Sequence, residues 1–132
     1  MKPIHFLLAL TLLSLGCGGS STPAPTPMSG NWAVNAKSAF SASAMSGTAA
    51  FTQNGMALTG KLTLSGSPCA TSATLTGTVS GNTLTFEADE DAQMVTFDGA
   101  TNSTFTTASG SYASPAEGCT NGDSGTWIAV KQ

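Results

Sequence analysis

The chain has 132 residues, four lysines against seven acids, a net charge of −3 and only 8% charged side chains. That length leaves room for one small core of about 100 residues, and the scarcity of cations excludes nucleic acid, whose phosphates need clustered Lys and Arg. Gly, Ser, Thr and Ala dominate instead, so hydroxyl groups must supply the solubility that charge supplies in an average domain.

Lys2 gives the N-terminus a positive start, and Ile4 to Leu15 is an apolar run of about a dozen residues, the length of a signal-peptide hydrophobic region. A spanning helix needs about 20. Small residues and prolines follow at once, which argues against a short buried helix. The segment Leu13-Ser14-Leu15-Gly16-Cys17 resembles the bacterial lipobox, with Ser14 and Leu15 departing from its commonest order. The resemblance implies cleavage after Gly16, diacylation of Cys17 as the new N-terminus, and residence on a membrane through that lipid. Gly18, where an aspartate would retain such a protein at the inner membrane, implies an outer-membrane destination in the cell envelope.

Export on these terms removes His5, the only histidine. The mature chain then has no neutral-pH imidazole base, no imidazole for zinc and no usual activator for a Ser or Cys nucleophile. With Cys17 committed to lipid, Cys69 and Cys119 remain as a pair in an oxidising compartment and are expected to form a disulfide. A redox or metal pair is the weaker alternative, since they lack CxxC spacing. The domains read as 1–16 signal peptide, 17–29 lipidated Cys and flexible Pro/Ser/Thr tether, and 30–132 folded unit.

From Gly30 onward helical periodicity is absent and residues alternate with period two, as in Met56, Leu58, Gly60, Leu62 and Leu64 against Ala57, Thr59, Lys61 and Thr63. Asn54-Gly55, Ser80-Gly81-Asn82 and Thr101-Asn102-Ser103 supply turn chemistry. Eight strands are predicted, at 30–36, 45–53, 56–66, 72–79, 83–88, 93–101, 104–112 and 124–131. The fold class is all-β: an antiparallel up-and-down meander closing into a small barrel, with a meander β-sandwich as the alternative. Glycines on the inward face, Gly60, Gly77, Gly99 and Gly110 among them, let the strands bend.

The inward set is expected to include Trp32, Val34, Phe51, Leu58, Leu62, Leu75, Val79, Leu84, Phe86, Val95, Phe97, Tyr112 and Trp127. In this strand order the three short turns fall at one end, and the four longer connections, carrying Cys69 and Cys119, fall at the other. Both chain ends leave from the short-turn end, so a binding mouth belongs at the long-loop end. Gly30-Asn31-Trp32 on the first strand, with Trp127 and Lys131 on the last, resembles the lipocalin and avidin superfamily of calycin-type barrels. The resemblance implies that Lys131 covers Trp32 at the closed end. Two tryptophans that simply fill the core fit the same pattern.

The sequence offers three candidate sites. Gly122-Asp123-Ser124-Gly125 is similar to the surroundings of a trypsin-like nucleophile, but no histidine is left to activate Ser124, so a turn opening the last strand is expected. Glu87, Asp89, Glu90 and Asp91 are a candidate calcium cluster, against which stands a solvated hairpin tip. Trp32, Phe51, Phe86, Phe97, Tyr112 and Trp127 would line the interior if it holds a small apolar ligand. The leading expectation is a noncatalytic, lipid-anchored surface or interaction module with no cofactor, its partner a protein of the envelope. The alternative is a lipocalin-like binder of a small apolar molecule. An enzyme using carboxylates alone fits least, because the acids gather in one hairpin. An apolar cavity of roughly 300 Å³ or more would favour the carrier, and a packed interior the module.

Overall fold

The computed structural model describes residues 25–41 and 43–132; the signal segment, Cys17 and residues 18–24 lie outside them. Eight strands follow one another: β1 (Gly30–Ser38), β2 (Ala44–Asn54), β3 (Ala57–Ser65), β4 (Ser72–Ser80), β5 (Thr83–Asp89), β6 (Met94–Thr101), β7 (Thr107–Ala113) and β8 (Ser124–Lys131). Each pairs antiparallel with its neighbour, and β1 pairs with β8, so the meander closes into a barrel and the sandwich alternative falls away.

Threonine and serine cover the outside, where a β-branched hydroxyl residue suits an exposed pleat. Rows such as Thr52, Thr59 and Thr76 lie side by side across β2, β3 and β4. Inside, all thirteen residues expected to face the core are buried. Ala36, Ala73, Ala88, Ala108 and Ala129 fill the gaps between the larger side chains.

Glycine decides how tightly the strands coil. Gly99 and Gly110 face each other across β6 and β7. A Cβ on Gly110 would overlap the Asp98 carbonyl and come within 2.5 Å of the Gly99 Cα, and one on Gly99 would press the Trp127 ring at 2.7 Å. The space those absent methyls leave is taken by the Trp127 indole, whose Nε1 donates to the carbonyls of Asp98 (3.3 Å) and Ser111 (3.1 Å).

Three details differ from the sequence expectation. The β2–β3 loop is Gly55 and Met56, since Asn54 pairs with Ala57 and positive φ falls on Gly55. This arrangement places glycine at the first central position, as in a type II′ hairpin, and it turns Met56 out to solvent instead of inward. The strand expected from 104 begins at Thr107 because Asn102 holds the preceding turn. Its Oδ1 accepts the backbone N–H groups of Thr106 and Thr107, an Asx arrangement that competes with the ladder. Lastly, the β5–β6 connection is only residues 90–93, so it is not one of the long loops.

The folded unit also reaches further back than Gly30. Met28, placed in the tether by its Pro/Ser/Thr surroundings, is 1% exposed and plugs the short-turn end. Its N–H donates to Gln53 Oε1 and its carbonyl accepts the Trp32 indole N–H, both at 3.0 Å. Lys131 Nζ donates to the Pro27 carbonyl at 2.7 Å and stands 5.8 Å from the Trp32 ring centroid. The expected lysine cover over the first tryptophan is therefore present, and it clamps the entering chain as well.

Candidate functional site

The barrel interior is closely packed with aromatic side chains. Phe86 stacks parallel on Phe97, with centroids 4.8 Å apart, and meets Phe51 and Trp127 edge-on at 5.5 and 5.6 Å. Tyr112 packs on Phe97 at 5.9 Å. Five of the six residues considered for an internal ligand thus pack on one another, while Trp32 is enclosed separately beneath Met28 and Lys131. What remains between this stack and the long-loop end is a void of about 30 Å³, room for a water and not for a ligand. The space beside the inward glycines is taken by neighbouring backbone, by Phe86 and by Trp127. Alternation identifies the inward face, and three-dimensional packing shows that this face is filled.

The four acids of the hairpin do not face one point. Alternation continues through it, so Glu87, Asp89 and Asp91 point outward while Glu90 turns in. Glu90 is buried and accepts a hydrogen bond from Gln93 Nε2 at 2.9 Å, and Asp89 Oδ1 caps the N–H of Asp91. Among the described residues, no three His, Cys, Asp or Glu side chains converge on a metal position.

The long-loop end carries the polar construction. The disulfide between Cys69 and Cys119 joins the β3–β4 and β7–β8 loops, with Cα atoms 5.8 Å apart. Below it, Gln93 Oε1 lies within reach of the Thr120 hydroxyl, so the stapled loop rests on the β5–β6 turn. Asp123 stands opposite. Its Oδ1 accepts from Ser38 Oγ and its Oδ2 from the Tyr112 hydroxyl at 2.9 Å. Ser38 Oγ in turn accepts the N–H groups of Phe40 and Ser41, fixing the start of the β1–β2 loop. An open cleft of about 460 Å³ lies between these loops, with Phe40, Met45 and Pro68 as its apolar wall and Asp123 at its polar side.

Asp123 therefore links three elements, β1, β7 and the β7–β8 loop, and its neighbour Ser124 opens β8 as the turn reading expected. Neither Ser38 nor Ser124 has an imidazole partner among the described residues. Ser38 lies beyond the strand that alternation predicts at 30–36, and β1 runs on to it. Asp123 carries only a turn signal in the sequence, since nothing local marks a carboxylate whose partners lie far off in the chain.

Burial, and then the hydrogen bond to the Asp123 carboxylate, push the Tyr112 hydroxyl up to about 12. An unfolded tyrosine ionises near 10. Below pH 10 both states keep the proton and the contribution to stability is complete; between 10 and 12 only the unfolded chain loses it, so stability falls as pH rises. Alkaline melts should show this loss, and Tyr112→Phe should lack that component. Because Tyr112 is the only tyrosine, a near-ultraviolet titration reads it directly, and ionisation near pH 10 in the folded protein would contradict the geometry.

A closed eight-stranded antiparallel meander, with a tryptophan at its closed end beneath a lysine from the last strand, is consistent with a calycin-like fold. No protein-family profile matches the chain, and no curated protein does either.

Proposed function

We propose that this protein is an exported lipoprotein held in the bacterial cell envelope by acylated Cys17, and that its barrel is a noncatalytic interaction module presenting the long-loop end. The observation that carries this reading is the filled interior: aromatic side chains occupy the volume that a carried ligand would need, leaving about 30 Å³. The chain enters and leaves at the closed end, so a leash from Cys17 leaves the disulfide-stapled loops and the open cleft free for an envelope partner. Internal carriage of an apolar molecule is disfavoured on the same ground, and the absence of histidine downstream of the leader disfavours the common hydrolytic mechanisms.

The test is envelope fractionation of cells making the full chain with its own leader, with and without inhibition of the lipoprotein signal peptidase. Untreated cells should hold the processed chain in the outer-membrane fraction, and treated cells should accumulate a heavier precursor in the inner membrane. A chain that is soluble and indifferent to the inhibitor would overturn the proposal. Organic extraction of the purified protein should yield no stoichiometric apolar molecule; finding one would restore the carrier.

A further inference from the structure

The two ends of the barrel differ in charge. Among the described residues, Asp89, Glu90, Asp91, Glu117 and Asp123 all lie at or beside the long-loop end, with Lys37 the only cation near them. Among the described residues, the closed end, made of residues 26–30, the turns at 54–57, 80–83 and 102–106, and residues 131–132, has no acidic side chain and carries Lys131. The same end exposes apolar groups. Met56 is 61% exposed at the tip of the β2–β3 hairpin, Phe105 is half-buried in the β6–β7 turn, and Val130 is exposed on the last turn of β8 toward that end.

We propose that this closed end rests on the lipid surface to which Cys17 is anchored, with Met56 and its neighbours touching the bilayer interface and the acidic rim pointing away; the inference rests on the anchoring reading above. Length supports it. From Cys17 to Thr26, where the turn at the closed end begins, is nine residues, at most about 30 Å when fully extended. A leash that short keeps the closed end at high effective concentration over the membrane, so a weak apolar contact is enough to be populated. Charge supports it too. Anionic lipid attracts a lysine-bearing end and repels one carrying five carboxylates, which fixes which way up the barrel stands. Phe40 and Met94 are exposed as well, but both sit at the acidic end, where such a surface would repel them.

Met56 and Met94 provide a test within one molecule. The acylated protein is bound to vesicles of phosphatidylethanolamine and phosphatidylglycerol, floated, and pulsed with hydrogen peroxide, and sulfoxide is measured on each methionine by peptide mass. Met56 is more exposed than Met94 in the free barrel, at 61% against 45%, so without docking it should oxidise at least as fast. Docking should make it slower than Met94 by about tenfold, since thioether oxidation follows solvent access. Buried Met28 should stay unoxidised and so report an intact fold. Ala57→Glu, at an exposed position beside Met56, should bring the Met56 rate back up to that of Met94. Acylated protein that floats yet oxidises at Met56 as fast as at Met94 overturns the docking alone. Protein that carries no acyl mass and does not float overturns the anchoring and the docking together.

Discussion

Replacing Cys69 and Cys119 together by serine should lower the stability of the barrel by about 4 kcal/mol, the unfolded-chain entropy restored when a 50-residue closure is lost. For a domain of this size that corresponds to a fall in melting temperature of roughly 20 °C. The effect should be large because the closed loop is long, and the bond is also the direct covalent tie between the tips of two loops. The β3–β4 loop holds itself through Ser67 Oγ, which accepts the N–H groups of Cys69 and Ala70, and the β7–β8 loop leans on Gln93 through long contacts from Thr120. Without the staple both loops lose their cross-link, and the cleft beside Asp123 loses a wall. Thermal melts of the wild type and the double variant, each with and without reductant, check this. The wild type under reductant should approach the double variant, whose own melt should not respond to reductant. A double variant that melts within a few degrees of the wild type would mean that the loops are held by something else.

Trp127→Ala should cost about 3 to 5 kcal/mol, the range for deleting a buried aromatic. Here the side chain stands at the centre of the aromatic stack, against Phe86 and Phe97, and fills the slot opened by Gly99 and Gly110. The deletion therefore leaves a cavity that backbone cannot close. It also removes the indole donor shared by the Asp98 and Ser111 carbonyls. Trp127→Phe separates the two contributions, since it keeps most of the apolar volume and loses the donor. Its cost should be smaller, about 1 to 3 kcal/mol. Denaturant titration measures both, and equal losses for the two variants would place the whole effect on the hydrogen bond instead of on packing.

The strands were legible because each alternates a buried face with an exposed one, mostly of hydroxyls between β2 and β7, and a period of two survives small errors in where a strand begins. The same logic places the thirteen core residues and puts Cys69 and Cys119 at one end. It failed where a side chain, not the pleat, controls the backbone. Asn102 bonds to two backbone N–H groups and delays β7, and Gly55 takes the first loop position and carries Met56 with it. Met28 was hidden by its company of prolines and serines, although a lone large apolar residue just before Gly30-Asn31-Trp32 is a signal that the chain is already folded. The disulfide could be read from the sequence because oxidising export leaves only two thiols to pair. The network around Asp123 could not, because Ser38 and Tyr112 lie 85 and 11 residues away and meet it only once β1 closes on β8. Nor could alternation reveal that the interior is full, since that depends on how five aromatic rings stack.

The most direct test is the intact mass of the protein purified from the envelope of cells that make it with its own leader. The account predicts a chain that begins at Cys17, is heavier than its residues by a thioether-linked diacylglycerol, and is lighter by the hydrogens lost in one disulfide. A chain that retains Met1, or begins elsewhere and carries no acyl group, would contradict it.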